Sequence, residues 1–240
     1  MTLLQHFIEL RRRVLWCLVW FVAMFGAGWI LGPAIQRFLT APLFGAWNTV
    51  GAGGTTGEVL LYTGLADGLV IQFSLATLFA IFATLPAVLW HIWAYVAPGL
   101  RPPEKRFIAP MLILSPVLFL LGAAFAYYFL FPIVFQFFVT LNESAPVPVA
   151  FLPVAGNYLT FVIDLLKVFG LAFQLPLVLV LLNRIGILSR AAVVKSRRYA
   201  IVGFFVIAAV LTPPDAVSQV MLALPLWGLF ELSILFMKKE

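Results

Sequence analysis

The sequence predicts an all-α integral membrane protein of six transmembrane helices, and three observations carry that prediction. Apolar residues make up 64% of the chain and charged residues only 10%, at a mean hydropathy of +1.10, whereas a water-soluble domain carries about a quarter charged residues. Apolar runs near the ~20 residues needed to cross a bilayer recur along the whole length. The basic residues gather in alternate loops, the arrangement expected of a polytopic membrane protein. Residues 1–240 therefore read as one transmembrane domain with no separate soluble part.

Residues 1–13 form an amphipathic segment, because Leu3, Phe7 and Leu10 follow the i, i+4, i+7 spacing of a short helix lying on a membrane surface. The first span is expected at Val14–Leu31. It is too long for a signal-peptide core and no small-residue cleavage site follows, so it reads as a retained span. It holds the single cysteine, Cys17, which has no partner for an internal disulfide. Further spans are expected at Leu69–Trp90, Phe107–Phe131 and Tyr158–Leu182. The last two, Tyr199–Leu211 and Ala216–Met237, flank Thr212, Pro213, Pro214 and Asp215. The fifth is short: its residues rise only about 20 Å, against a hydrocarbon core of about 30 Å. A thinned membrane, a re-entrant hairpin with the sixth segment, or flanking residues that complete the crossing would each accommodate it. Six crossings is the preferred reading.

Pro86, Pro110, Pro116, Pro132, Pro176 and Pro225 lie within or beside these spans. Each removes a helix hydrogen bond, so the expected bundle is kinked rather than straight. Between the first two spans, Gly32–Gly68 reads as a loop made flexible by Gly51, Gly53, Gly54 and Gly57, with Pro42, Leu43, Phe44 and Trp47 as an interfacial cap. The second such loop, Pro132–Asn157, contains Pro146, Pro148 and Pro153 and is expected to be extended.

Charge sets the orientation. Thirteen of the fifteen basic residues fall before the first span, between spans two and three, between four and five, or after six, while Arg37 and Lys167 are the exceptions. That bias predicts both termini in the cytoplasm. It also explains the formal net charge of +6 without a nucleic-acid partner.

Ionisable residues inside a membrane span are costly and are functional candidates by default. Asp164, Lys167 and Gln174 fall within an arc of roughly 80° on the fourth span. Asp164 and Lys167 also stand at i and i+3, where the plain alternative is mutual neutralisation. Gln174 has the alternative of a hydrogen bond to a neighbouring helix. Glu9 precedes Arg12 and Arg13 by one turn, so a local ion pair competes with any binding role. Glu104 sits beside Lys105 and Arg106 with the same ambiguity. His6 and His91 lie in different segments without a cluster of metal ligands, so no metal or cofactor is expected. There is no phosphate-binding loop, nucleophile–base set or helical metal motif, so an enzyme is not expected.

The order of local motifs adds a resemblance. His6-Phe-Ile-Glu9-Leu-Arg11-Arg-Arg13 resembles the opening of the twin-arginine translocase subunit TatC family. Trp93-Ala-Tyr95-Val-Ala-Pro98-Gly-Leu100 followed by Glu104-Lys-Arg106 resembles that family's first cytoplasmic loop. Phe125-Ala-Tyr127-Tyr-Phe-Leu-Phe-Pro132 is similar to the end of its third helix, and Phe169-Gly-Leu-Ala-Phe-Gln174-Leu-Pro176 to its fourth. Leu211-Thr-Pro-Pro-Asp215-Ala-Val-Ser-Gln219 is similar to the turn between its short last helices.

The resemblance implies a glove-like fold with short fifth and sixth helices in the bacterial inner membrane. It implies a receptor for twin-arginine signal peptides of folded cargo, working with TatA- and TatB-like single-span subunits in a larger self-associated complex driven by the protonmotive force. Paired guanidiniums are best met by carboxylates, so Glu9 and Glu104 become the expected signal-peptide ligands, with Arg11, Tyr95 and Leu100 shaping the site. Asp164, Lys167, Gln174, Asp215 and Gln219 are the expected intramembrane polar or partner contacts. Gln174 stands where many members carry glutamate, and Pro102 and Pro103 depart from the usual loop. The rival reading is a secondary transporter using Asp164 and Lys167; it predicts an internal repeat, and the two halves show no convincing self-similarity.

Overall fold

The computed structural model describes residues 3–50, 59–96, 102–143, 153–212 and 216–238, and regular structure among them is helical. Leu100, Asp215 and the glycine and proline clusters at positions 51–57 and 146–148 lie outside the described residues.

Helix α1, Leu3–Val50, runs straight through the expected boundary at Leu31 and absorbs much of the expected first loop, with Pro33 and Pro42 inside it. Its partner α2 spans Asp67–Val96. Proline removes the donor for the carbonyl four residues earlier, and a membrane helix tolerates this when another group supplies one. Gln72 Nε2 of α2 donates to the carbonyl of Trp29, four residues before Pro33. Gly32 makes the approach possible, since a Cβ there would overlap the Gln72 side chain.

The third span is α3, Pro102–Phe125, continued by a π-helical turn at Ala126–Leu130 and by α4, Phe131–Glu143. The expected extended segment after Pro132 is thus helical as far as Glu143. The widened turn accommodates Pro132: the N–H of Phe131 reaches back to the carbonyl of Ala126, so the chain re-enters helix without the missing donor. At the start of α3, Pro102 stands at the first helical position, where its fixed φ suits the helix and no N–H is needed.

The fourth span divides into α5, Ala155–Ala172, and α6, Gln174–Arg184. The ring of Pro176 excludes the carbonyl four residues earlier, which is that of Ala172, the residue where α5 ends. Helix α7, Arg190–Lys195, is capped by Ser189, whose Oγ accepts from the N–H of Ala192 at 3.1 Å. Helices α8, Arg197–Leu211, and α9, Ala216–Phe236, pack as an antiparallel pair. Arg197 bonds Glu231 at 2.6 Å and Phe204 meets Phe230 edge-on.

The core lies where α3, the π-turn and α4 meet α5, around the fully buried Phe119, Phe131, Leu165 and Phe169. Backbones approach closely there: a Cβ at Gly122 would come within 2.4 Å of the Phe169 carbonyl. Small residues at such crossings let membrane helices pack by direct contact. The outward faces are apolar, as with Ile30 at 80% and Val210 at 81% exposure, which fits lipid as the surrounding solvent. At one end Leu61 exchanges backbone hydrogen bonds with Pro153 and Ala155, tying two connecting segments together. At the other, Asn183 accepts from the Lys238 N–H at 2.8 Å and Arg190 donates to the Ile234 carbonyl at 3.2 Å.

Five helical stretches among the described residues are long and apolar enough to cross a membrane: Phe7–Trp47, Asp67–Ile92, Leu114–Leu141, Ala155–Arg184 and Ala216–Phe236. The third stretch is displaced toward the chain's C-terminus relative to the expected Phe107–Phe131. The expected fifth crossing, Tyr199–Leu211, corresponds to α8, whose 15 residues rise about 22 Å.

Candidate ligand-binding site

A cavity of about 530 Å³ opens where the first turns of α1 meet the last turns of α2. Glu9, Arg13, Trp16 and Trp20 share one narrow face of α1, because offsets of four, seven and eleven residues bring side chains back into line. All four line the cavity, together with Ile8, Arg12 and, from α2, His91.

Glu9 and Arg13 form an ion pair in which Arg13 Nη2 lies 2.5 Å and Nε 3.2 Å from the same oxygen, Oε1. Arg13 Nη2 also donates across to the α2 carbonyl of Ala94 at 3.0 Å. That carbonyl lies in the last turn of α2, where helical carbonyls have no intrahelical donor. The pair is only partly open to solvent, with 22% of the Arg13 side chain and 29% of the Glu9 side chain exposed. His91 contributes a buried Nδ1 with no hydrogen-bond partner among the described residues. The cavity therefore combines one carboxylate, two guanidiniums, an imidazole and two indole rings. The carboxylate is already met by Arg13, so the charged lining is net positive, while the Trp faces offer surfaces on which a guanidinium can stack.

The other expected site residues are distributed around it. Arg11 is exposed on α1, and Tyr95 is half-buried in the last turn of α2. The backbone of Glu104 lies in the first turn of α3.

The expected intramembrane residues are engaged separately. Lys167 Nζ lies 3.1 Å from Asp164 Oδ1, so the two charges neutralise each other, with side chains 37% and 44% exposed. Gln174 makes two bonds to Ser115 of α3, accepting from its Oγ and donating to its carbonyl, both at 2.8 Å. Gln219 Nε2 donates to the Phe205 carbonyl at 3.0 Å, joining α9 to α8. Among the described residues no group of three or more His, Cys, Asp or Glu is placed to hold a metal ion.

Sequence reasoning missed Trp16, Trp20 and His91 as cavity walls, and missed the reach of Arg13 to Ala94. One signal was available: the last carbonyls of a helix lack an intrahelical donor.

The sequence model of the family described as Sec-independent protein translocase protein (TatC) matches residues 5–225. A TatC of Azotobacter chroococcum is 39% identical over 98% of this chain and 89% of its own length. The TatC of Haemophilus influenzae is 38% identical over 97% and 87%, and that of Escherichia coli K12 is 35% identical over 98% and 87%. A crystal structure described as the twin arginine translocase receptor TatC superposes with a TM-score of 0.81 at 30% identity, covering 96% of this chain and 97% of that one. A second, in DDM, gives 0.83 with coverage of 98% and 100%. The chain belongs to the TatC family, and is a non-enzymatic, multi-pass membrane component of Sec-independent protein translocation.

Proposed function

We propose that the chain is the signal-peptide receptor of a twin-arginine export system in a bacterial inner membrane. It binds the paired arginines of a folded cargo's signal peptide at its cytoplasmic face. With TatA- and TatB-like single-span partners it then passes the cargo across the membrane at the expense of the protonmotive force. In this reading α8 makes the fifth of six crossings through a locally thinned bilayer, and both termini are cytoplasmic, as the bias of basic residues favours.

The observation that carries the proposal is the cavity at the start of α1, where the Glu9 carboxylate already holds a guanidinium. Glu104, in the first turn of α3, supplies the second carboxylate in this reading, and Arg11, Tyr95 and Leu100 complete the surroundings. The relatives of known structure are described as twin arginine translocase receptors.

The test is binding of a twin-arginine signal peptide, and of its Lys-Lys counterpart, to the full chain in detergent. Wild type should prefer the Arg-Arg peptide, and Glu9→Ala and Glu104→Ala should each lose roughly tenfold or more, the scale of a charged hydrogen bond. Equal binding of both peptides to all three proteins would reject the receptor reading.

A further inference from the structure

We propose that the N-terminal half of α5 borders a water-filled crevice, through which solvent from that side of the membrane reaches the Asp164–Lys167 pair. The inference does not rest on the receptor reading, and peptide binding neither supports nor removes it.

Three observations carry it. Asn157, Thr160, Asp164 and Lys167 follow one another along a single stripe of α5, within an arc of roughly 80°. The stripe is turned away from the bundle: Asn157 and Thr160 are exposed, and the side chains of Asp164 and Lys167 are 44% and 37% exposed. Lipid offers such groups no partner, so a polar stripe facing it is costly. Ser74 and Thr77 of α2 close their hydroxyls on their own helix, at the carbonyls of Val70 and Phe73. Thr160 makes no such bond among the described residues. Water supplies what the stripe lacks.

Second, the stripe begins at a membrane surface and stops at depth. Tyr158 bonds the Leu39 carbonyl, which sets the start of α5 level with the exposed Arg37, a charge that belongs at the interface. Lys167 stands nine residues further on, about 13 Å deeper, against a hydrocarbon core of about 30 Å. The same face then turns apolar, with Leu171 and Val178 exposed on it. A stripe that starts at the surface and ends near the middle fits solvent entering from one side.

Third, the apolar length left beyond the pair matches that of a neighbour. Residues 168–183 carry no ionisable side chain and rise about 24 Å along α5 and α6. Helix α8, which packs against α5, rises about 22 Å over its 15 residues. The two elements share one short hydrophobic thickness, with the aqueous boundary drawn down to the level of Lys167. The crevice exists only in the folded bundle, so the two charges still have to neutralise each other during insertion.

The experiment reads thiol reactivity in the full chain. In a Cys17→Ser background, which removes the single native thiol, cysteines are introduced one at a time. They are labelled with a charged, membrane-impermeant maleimide in liposomes and in spheroplasts. Thr63→Cys, exposed ahead of α2, is the reference for full solvent access. Thr160→Cys and Val168→Cys, the latter one turn beyond Asp164 with the ion pair intact, should label from the same side as Thr63→Cys and within about tenfold of its rate. Leu171→Cys and Val178→Cys, with Ile30→Cys on an apolar outward face, should be slower on the order of a hundredfold, because hydrocarbon suppresses the reactive thiolate.

Thr160→Cys and Val168→Cys as slow as Ile30→Cys would overturn the proposal. Fast labelling in liposomes that is lost in spheroplasts would mean that a protein covers the stripe, and overturns it equally. Rapid labelling of Leu171→Cys and Val178→Cys would replace the one-sided crevice by an opening through the whole span. Thermal unfolding identifies the folded variants; if Thr160→Cys is misfolded, Val168→Cys decides alone.

Discussion

The hydroxyl of Tyr127 donates to the carbonyl of Phe38 at 2.7 Å, and Phe38 stands four residues before Pro42. The acceptor that the proline strips of its helical partner is therefore served by another part of the bundle. The two rings stack with centroids 4.2 Å apart and planes within 3°. The next carbonyl, Leu39, accepts from the buried Tyr158 of α5 at 2.7 Å.

Tyr127→Phe keeps the stacked ring and removes only the donor, so it should lower stability by about 1 kcal/mol. In a Pro42→Ala background the restored N–H at position 42 supplies the Phe38 carbonyl, and the same substitution should cost almost nothing. Thermal unfolding of the four proteins in detergent completes this double-mutant cycle; an identical cost in both backgrounds would refute the assignment.

Gly122→Ala should be much more damaging than its size suggests. The new methyl would meet the Phe169 carbonyl at 2.4 Å and the Phe173 ring at 2.9 Å, and neither α3 nor α5 can yield without disturbing the core. A loss of about 1–3 kcal/mol is expected, the usual range for overpacking. Gly203→Ala is the control: nothing lies within 4 Å of its added Cβ, and the better helix propensity should make it neutral or stabilising by up to ~1 kcal/mol. Melting temperatures of the two variants should shift in different directions or by clearly different amounts.

Gln174 and Ser115 join α6 to α3 through two reciprocal bonds. Gln174→Leu breaks both, while Ser115→Ala breaks only the hydroxyl contact. The coupling between the two substitutions should be about 0.5–1.5 kcal/mol, the range measured for polar contacts between membrane helices. Strict additivity would mean that the Ser115 hydroxyl contact contributes nothing to stability.

Asp164 and Lys167 neutralise each other inside an apolar span. Removing one partner leaves an unpaired charge, for which membrane insertion scales give about 2.5–3.5 kcal/mol near a helix centre. Asp164→Ala and Lys167→Met should therefore each reduce the amount of stably inserted protein, while the double variant should recover it. Single and double variants that accumulate equally would show that the pair is dispensable for insertion.

The spans were legible in the sequence because hydropathy acts over some 20 residues and needs no knowledge of neighbours. The ends were not. The segments after Leu31 and from Pro132 read as loops, yet helix passes through Pro33 and Pro42 and resumes past Pro132. The first two have their orphaned carbonyls met by Gln72 and Tyr127, side chains 40 to 90 positions away, and the third is absorbed by a π-turn. The break at Phe173 was implicit in Pro176, whose ring acts on the residue four positions earlier. In the candidate site, the Glu9–Arg13 pair follows from helical spacing alone. The third contact, to Ala94, depends on how α1 crosses α2, which local pattern does not encode.

The carbonyls that proline leaves open also fix the height of α1 in the bilayer. Apolar helices in lipid slide past one another at little cost, since a tail and a leucine are nearly equivalent neighbours. A polar acceptor at Trp29 or Phe38 is different, because it matches its donor at one depth only. The Arg13–Ala94 contact adds a third such point near the other end of the helix. Pinned at three latitudes, α1 resists piston-like travel past its neighbours, and force applied at its N-terminal end is passed on as tilt.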